Sequence, residues 1–275
     1  MNKLLSAGFM RLKKSKIFRI LFLFMFGLGL YVPIGQYLNM KKYGYAMSLE
    51  SAFFMYVTFM SILIAVFCSL FIGTEYSDGT IRNKLIVGHS RTAIYLSNLI
   101  VCITAGILIA FAYMAACACA GFPLLGGFAM GARAALLFVL SAIVIDIAFT
   151  SLFTLTAMLI QNKAAQSVAA VIGAFVLLMG AAFLHSSLSS PEMVSDYIMD
   201  ETGEVKQTDP IPNPSYISGT KREIYEFLME FLPSGQDILL MNGDFPMTRA
   251  FSYDVLILFA TTGAGIFAFR KKDIK

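Results

Sequence analysis

Two long stretches without a charged residue constrain this chain more than any other feature. Ser51 to Thr74 and Thr92 to Ala132 contain no Asp, Glu, Lys or Arg. Each is longer than the ~20 residues that a helix needs to cross the hydrocarbon layer of a bilayer. Over the whole chain of 275 residues, 58% are hydrophobic and 14% are charged, with a mean hydropathy of +0.74. Soluble globular domains do not have this composition, so the chain is predicted to be an integral membrane protein.

Six apolar segments qualify as membrane spans. They lie at residues 17–36, 52–73, 93–120, 134–160, 165–185 and 252–269, and a long loop over 186–250 separates the last two. The segments are continuously apolar and lack the two-residue alternation of a barrel wall, which predicts helices. We therefore expect an all-α membrane protein with six transmembrane helices in a single domain, 1–275.

The uneven distribution of basic residues predicts the orientation of the spans. Lys and Arg near span ends favour the inner side of a membrane, whereas acidic residues contribute little. With the N-terminus inside, four of the seven outer basic residues lie in the 186–250 loop, which the rule discounts because of its length. Both termini are therefore predicted to be cytoplasmic, and the charge gives no indication of nucleic-acid binding. The fourteen basic residues on the inner side are Lys3, Arg11, Lys13, Lys14, Lys16, Arg19, Arg82, Lys84, Arg91, Lys163, Arg270, Lys271, Lys272 and Lys275.

The N-terminus combines basic residues with the first apolar run, and a secretory signal peptide is one interpretation of that pattern. The run is about 20 residues long, and residues 35–38 offer no small-x-small cleavage site. It is therefore predicted to be a retained first span. Ahead of it, Leu5, Phe9 and Leu12 recur at helical spacing beside Lys13. This pattern predicts an amphipathic helix at the inner interface, with a frayed basic tail as the alternative.

The 186–250 loop contains a pattern typical of a short amphipathic helix. Thr220 and Glu223 have the spacing of a capping box, and Pro233 would end the helix. Its apolar side would pack on the outer membrane surface or on the bundle, or would bind a peptide. The residues of that side are Ile224, Phe227, Leu228, Phe231 and Leu232.

The sequence carries no signature of catalysis. No Gly-Lys dipeptide occurs, which excludes a Walker A phosphate-binding loop. His89 and His185 are the only histidines, and the predicted topology places them on opposite sides of the membrane, so no His-based triad or HExxH zinc site can form. Cys117 and Cys119 lack a nearby His or carboxylate to complete a metal site. We expect no catalytic site, metal or cofactor on this chain.

Asp146 is a charged residue near the middle of the fourth span. An Asp at the centre of a membrane helix costs roughly 2.5 to 3.5 kcal/mol on translocon scales, so its side chain should face a partner or a watery cavity. Three roles remain open: a hydrogen bond to Ser, Thr or Tyr of a neighbouring span, contact with the translocated substrate, and proton coupling.

The segment 74–91 is a compact charged island between the second and third spans, on the predicted inner face. A short helix there would lie along the membrane surface and present its polar side to a soluble partner. The residues of that helix would be Thr80, Arg82, Asn83, Lys84 and Leu85.

This island resembles the connection between spans two and three of ABC-2 type permeases, which has the pattern E-x-x-x-G-T-x-R-x-x-L followed by S-R. The chain also ends on the basic sequence 269–273, similar to many members of that family. Two departures are that Gly88-His89 replaces a Pro common before the Ser-Arg pair, and that Asn98 stands where a Lys often begins span three. The matching residues are Glu75, Gly79, Thr80, Arg82, Leu85, Ser90 and Arg91.

The resemblance implies a division of labour in the membrane of a bacterial cell. A separate ABC ATPase subunit, which would hold ATP and Mg²⁺, docks on the inner face, and this chain forms the translocation path. The complex would hydrolyse ATP although this chain has no catalytic site. The residues assigned to coupling with the ATPase are Glu75, Tyr76, Gly79, Thr80, Arg82, Asn83, Lys84, Leu85 and Arg91.

Individual roles follow from the same resemblance. Glu75 and Tyr76 would anchor the start of the coupling helix, Gly79 would permit the turn, and Thr80 would cap the helix. A solvated basic loop that only sets the topology is the alternative. The residues expected to contact the ATPase or lipid phosphates are Arg82, Asn83 and Lys84.

The number of spans and the composition bear on partners and substrate. Six spans are few for an alternating-access path, so we expect a second permease chain, identical or homologous. The 25 Phe, 12 Tyr and 16 Met suit an apolar or amphipathic cargo, and an acidic outer loop tolerates a cationic peptide. Export of, or immunity to, an antimicrobial peptide or bacteriocin is therefore predicted. Drug or lipid export is the alternative, and a membrane anchor or sensor that moves nothing is an alternative of another class.

Overall fold

The structure of the chain is a computed structural model that describes residues 1–44, 48–195, 197–199, 205–207, 209–243 and 245–273. The described helices are α1 (Asn2–Lys14), α2 (Lys16–Tyr43), α3 (Leu49–Phe53), α4 (Val57–Ser77), α5 (Thr80–Ile86), α6 (Arg91–Leu125), α7 (Ala132–Leu159), α8 (Lys163–Leu188), α9 (Thr220–Phe231), α10 (Pro233–Asn242) and α11 (Met247–Lys271). The described strands are β1 (Met193–Val194), β2 (Tyr197–Met199), β3 (Val205–Gln207) and β4 (Ile211–Pro212). β1 pairs with β4 and β2 with β3, both antiparallel.

Six helical segments are long and apolar enough to cross a membrane: α2, α3 together with α4, α6, α7, α8 and α11. The predicted all-α membrane protein with six transmembrane helices is confirmed. The helices run past the predicted apolar limits because helical geometry continues into the flanking polar residues. α2, for example, extends to Tyr43 and ends at Gly44, which adopts the left-handed conformation at φ +76°.

α4 and α6 form the centre of the bundle. Tyr95 and Tyr113 of α6 and Phe67 of α4 are fully buried. α2 packs along α6, while α7 and α8 both pack on α4. The peripheral helices expose large apolar side chains, such as Phe24 of α2 and Phe259 of α11. An apolar exterior suits a surface that faces lipid tails, which are as apolar as leucine.

Two glycines bring peripheral helices close to α6. A Cβ at Gly29 of α2 would overlap the backbone of Tyr113, and a Cβ at Gly265 of α11 would overlap the ring of Tyr95. Small residues at helix contacts allow the backbones to approach, which favours packing inside a membrane. Both glycines therefore serve packing within this chain.

The two ends of the bundle differ in what covers them. One end carries α1, α5, the start of α6 and the end of α11, and we call it the α5 face. The other end carries α3, α9, α10 and the strands, and we call it the loop face. Successive spans alternate between the two faces, as expected for a chain that crosses a membrane repeatedly.

The predicted N-terminal helix is present as α1, and it packs on α6. Leu4 and Leu12 are buried, whereas Phe9 remains 38% exposed. A Cβ at Gly8 would lie 2.8 Å from a methyl carbon of Val101. The side of α1 that meets the bundle is thus centred on Leu4, Gly8 and Leu12, and Phe9 lies at its margin.

The predicted helix in the long loop is present as α9, but the predicted capping box is wrong. Gly219, at φ +62°, occupies the N-cap position, and no side chain caps the helix. Thr220 therefore lies inside the first turn, where its hydroxyl cannot act as the N-cap acceptor. α9 ends before Pro233, as predicted, and Pro233 then begins a further helix, α10.

α9 packs on the bundle, which is one of the alternatives left open for it. The ring of Phe231 lies 5.6 Å from that of Tyr253 on α11, and the ring of Tyr225 lies 6.3 Å from that of Phe183 on α8. Within the predicted 186–250 loop, positions 196, 200–204, 208 and 244 lie outside the described residues.

Candidate functional site

α5 is a short helix held between two glycine turns on the α5 face. Gly79, at φ +65°, forms the turn from α4 into α5, and Gly88, at φ +92°, follows the end of α5. Thr80 was expected to cap α5, and this expectation is wrong. Gly79 occupies the N-cap position and no side chain caps the helix, because the left-handed turn places Thr80 one residue too late. Ser90 caps α6 instead, since its Oγ accepts a hydrogen bond of 3.2 Å from the amide of Ala93.

Glu75, at the end of α4, is the centre of a buried ionic cluster. Its side chain is only 2% exposed. Oε1 forms ion pairs with Arg11 of α1 and Lys84 of α5, and Oε2 accepts a hydrogen bond of 2.8 Å from Nδ2 of Asn98 on α6. We call Glu75, Arg11, Lys84 and Asn98 the Glu75 cluster. One carboxylate thus connects four helices, and both of its oxygens have partners.

Arg11 is tightly enclosed within the Glu75 cluster. The carbon of its guanidinium lies 3.7 Å from the ring centroid of Phe71, in a cation–π contact. Burial lowers the pKa of Arg11 from its ordinary value, and the neighbouring Glu75 carboxylate opposes that shift. Sequence reasoning noted Asn98 only as a departure from a family pattern and did not single out Arg11. Nothing in the local sequence around Arg11 indicates a partner 64 positions away.

The C-terminal end of the chain covers a second part of the α5 face. Nη1 of Arg91 donates a hydrogen bond of 2.8 Å to the carbonyl of Phe269 and another to that of Lys272. Nζ of Lys272 donates to the carbonyl of Met158, at 3.2 Å, and the hydroxyl of Tyr76 donates to the same carbonyl. Burial lowers the pKa of Lys272 to about 8. Tyr76 and Arg91, assigned to coupling, therefore bind carbonyl groups of their own chain.

Of the remaining predicted coupling residues, some contact the bundle and others are exposed to solvent. Leu85 packs against the core, and Lys84 points to Glu75 rather than to solution. Ile86 and Val87 at the end of α5 are 73% and 77% exposed. Arg82 and Asn83 are exposed as well. The free surface of α5 is therefore made of two polar and two apolar residues.

Asp146 is buried in the bundle, with 1% of its surface exposed. Neither of its carboxyl oxygens has a hydrogen-bond partner among the described residues. One of the three open roles, a hydrogen bond from Ser, Thr or Tyr of a neighbouring span, is thus not seen among the described residues. The hydroxyl of Thr150, on the same helix, donates to the backbone carbonyl of Asp146 and not to its side chain. Two other buried acids, Asp237 of α10 and Asp254 of α11, are likewise 2% exposed.

Sequence reasoning did not single out Asp237, which lies in the acidic outer loop, or Asp254, which lies near the start of the sixth predicted span. The position of Asp254 inside an apolar helix was a detectable signal. Asp237 had none, because the start of α10 reads as a turn. No group of three or more His, Cys, Asp or Glu side chains within the described part of the chain has an arrangement that could hold a metal ion.

The fold and these contacts define a multi-pass membrane protein with an ionic junction at one end of its bundle. The family described as ABC-2 family transporter protein matches residues 4–181, which extend from α1 into α8. Because the match covers more than half of the chain, this protein belongs to the ABC-2 transporter family and is a transport permease. Permeases of this family normally work with an ABC ATPase. No curated protein matches the sequence.

Proposed function

We propose that this chain is the permease subunit of an ATP-driven exporter and that α5 passes the movement of a docked ATPase to the spans. The Glu75 cluster carries this proposal. Lys84 connects α5 to Glu75 at the end of α4, and Arg11 and Asn98 connect the same carboxylate to α1 and α6. A displacement of α5 therefore acts on three other helices through one buried group.

Burial makes this junction stiff. A charge pair removed from water interacts strongly, and loss of one partner of such a pair costs about 3–5 kcal/mol. Glu75 is nearly inaccessible, and both of its oxygens are occupied. A small rigid-body shift of α5 is thus transmitted rather than absorbed by side-chain rotation.

The surface for the ATPase in this proposal is the free side of α5, with Arg82, Asn83, Ile86 and Val87. Basic and polar groups beside two exposed apolar residues suit a protein interface better than a bare lipid surface. The α5 face then lies in the cytoplasm of a bacterial cell, together with both termini. Its excess of Lys and Arg supports this orientation.

Co-purification tests the docking surface directly. Val87→Asp places a charge in the apolar part of the α5 surface, and we expect the permease to fold but to lose its co-purifying ATPase. Arg270→Glu is the matched control, because Arg270 is exposed on the same face but lies outside α5. Retention of the ATPase and of transport by Val87→Asp, at wild-type level, would overturn the coupling role of α5.

For the cargo, we propose an amphipathic, cationic peptide, as in export of or immunity to antimicrobial peptides. The 186–250 segment supports this proposal, because it carries eleven acidic and four basic residues. A surface of one charge raises the local concentration of ligands of the opposite charge. A second permease chain completes the path, since one copy supplies only six spans.

Reconstituted permease and ATPase in lipid nanodiscs allow the cargo to be tested. Cationic amphipathic peptides should stimulate ATP hydrolysis, and uncharged peptides of equal length and hydrophobicity should not. Stimulation by drugs or lipids alone would contradict the peptide proposal. ATPase binding without stimulation by any of these compounds would indicate a membrane anchor.

A further inference from the structure

The start of α10 is enclosed by the bundle on the loop face. α10 packs against α4, α7, α8 and α9. Ser234, Gln236 and Asp237 are all nearly inaccessible. A Cβ at Gly235 would overlap the backbone of Met229 in α9, so only glycine permits this close approach. Polar side chains of a short helix are therefore held deep inside the protein.

Three buried carboxyl groups lie in this region, each on a different helix, and two of them are electrostatic neighbours of the third. Asp146 comes from α7, Asp237 from α10 and Asp254 from α11, and none is more than 2% exposed. We call these three residues the carboxyl cluster. Burial raises the pKa of Asp237 well above its usual value, and the nearby Asp146 and Asp254 raise it further. Asp146 and Asp254 are therefore close enough to Asp237 to influence its ionisation.

No cation neutralises the carboxyl cluster within the described part of the chain. The ion pairs of the described residues do not include Asp146, Asp237 or Asp254. The cations and the histidine on the loop-face side of the neighbouring helices have other partners: Arg249 of α11 pairs with Glu230 and Arg222 with Glu226 of α9, Lys221 of α9 lies over the ring of Tyr225, and His185 of α8 contacts Asn242. Tyr56, which precedes α4, is a titratable neighbour of Asp146 and Asp237, and it carries no positive charge.

Tyr56 is a further buried polar group without a hydrogen-bond partner at this position. Its side chain is fully buried, and its hydroxyl has no hydrogen-bond partner among the described residues. Asp146 and Asp237 are its electrostatic neighbours. Both oxygens of each of these two acids also lack a partner. A buried hydroxyl and four buried carboxyl oxygens thus lack partners in the same region, which favours binding of protons by the acids.

Elementary electrostatics limits what can occupy such a site. An ionised carboxylate in an apolar interior is strongly destabilised, and a second one nearby adds repulsion. Carboxylates in this situation take up protons, as pairs of acids that share a proton do. A bound proton converts each acid into a hydrogen-bond donor, which can then use the free acceptors of Tyr56 and its neighbouring carboxyl groups.

We propose that Asp146, Asp237 and Asp254 form a proton-binding site and that release of its protons frees α10 from the bundle. Protonated, the three acids allow the polar start of α10 to remain enclosed. Ionised, they repel one another and attract water, and α10 is the shortest of the three helices that carry them. Its departure would open the bundle towards the loop face. The proposal concerns the chain alone and does not depend on coupling to an ATPase.

Amide hydrogen exchange in the full chain, in lipid nanodiscs, tests this proposal. Exchange of the amides of 233–242 is followed from roughly pH 6 to roughly pH 9 and corrected for the intrinsic pH dependence of exchange. We expect strong protection at low pH. Above the pKa of the cluster, the population of the open form should rise by about tenfold per pH unit for each proton released.

Variants identify the groups responsible. Asp237→Asn and Asp146→Asn should keep α10 protected at high pH, because an amide cannot ionise. Glu226→Gln is the matched control, since Glu226 lies on the neighbouring α9, is 53% exposed and pairs with Arg222; it should behave as the wild type does. If Asp237→Asn does not fold, Asp254→Asn and the wild-type profile provide the same test.

Three results would overturn the proposal. One is protection of α10 that is independent of pH in the wild type, and a second is an unchanged pH dependence in the Asn variants. The third is recovery of protection at high pH on addition of methylammonium, which would show that the site binds an organic cation rather than protons.

Discussion

The Glu75 cluster and the carboxyl cluster are both buried acidic sites, but they differ in what neutralises them. Glu75 has two cations and an amide within contact distance. Asp237 has Asp146 and Asp254 as neighbours, Tyr56 lies near Asp146 and Asp237, and Asp254 forms a hydrogen bond with the neutral side chain of Gln236. Burial makes an ionised carboxylate costly in both places. At the α5 face the chain supplies the compensating charge itself, and at the loop face the residues that the structure describes supply none.

This difference gives the two clusters different roles: the Glu75 cluster transmits movement between helices, and the carboxyl cluster responds to pH. An ion pair with satisfied oxygens keeps its geometry over a wide pH range, which suits a group that transmits movement. Acids without counter-charges change their state when protons are added or removed. Substitutions in the two clusters, which remove a carboxyl group or its partner, therefore test whether the clusters differ in this way.

The largest expected effect is at Glu75. Glu75→Ala leaves Arg11 and Lys84 as unpaired cations in a largely buried position, which should lower the free energy of unfolding by about 3–5 kcal/mol. Thermal unfolding of the purified chain in detergent measures this loss. If the free energy of unfolding falls no more than on loss of a surface ion pair, water must solvate Arg11 and Lys84 in the variant. The Glu75 cluster would then differ less from the carboxyl cluster than we infer.

Lys84→Met should have a smaller effect, since Glu75 keeps Arg11 and Asn98. Loss of one hydrogen bond to a charged group costs about 1.5–3 kcal/mol. The methionine retains the packing of the Lys84 stem, so α5 should still form. We expect uncoupling of ATP hydrolysis from transport in the reconstituted complex, and wild-type coupling in this variant would exclude Lys84 from the transmission.

Asp237→Asn should change stability by less than about 1 kcal/mol at low pH, because the buried acid is already neutral there and an amide has nearly the same shape. Since the pKa of Asp237 is raised in the folded chain, its stabilising contribution is present below the usual Asp value and is lost as pH rises through the raised pKa. The wild type should therefore weaken with rising pH, and the variant should weaken less. Unfolding midpoints measured over this pH range provide the test.

The smallest effect is expected at the exposed pair of Arg222 and Glu226 on α9, whose Nε and Oε1 atoms lie 2.9 Å apart. Arg222→Ala should cost about 0.3–0.5 kcal/mol, as surface pairs at i,i+4 do. Chemical denaturation of Arg222→Ala and Glu75→Ala measures how much unfolding free energy is lost at the exposed pair and at the buried pair. Equal losses of unfolding free energy in the two variants would contradict the inference that burial strengthens the Glu75 ion pairs.

Local patterns predicted some of these features well. The six spans follow from the length of the apolar runs, and the turn that the family resemblance implied at Gly79 is present, with φ +65°. The caps assigned to Thr80 and Thr220 were wrong, because in both cases the preceding glycine takes the N-cap position. A capping motif specifies a helix start only to within a residue.

Partnerships between distant residues were beyond any local pattern. Arg91 looks like a free cation at the start of a span, yet it binds carbonyl groups at the C-terminal end of the chain. Asp237 looks like one acid among many in a polar loop, yet it is as buried as Asp146. Both outcomes depend on how helices far apart in sequence are placed beside one another.

The sequence by itself determined that this chain crosses a membrane six times, because runs of apolar residues long enough to span hydrocarbon are favourable only there. It also determined that α5 lies between the second and third spans. Only the tertiary structure decided that Glu75 has cationic partners and that Asp146 has other acids. The physical reason is that the free energy of a buried charge depends on the groups within a few ångströms of it, and in a folded bundle those groups come from other helices.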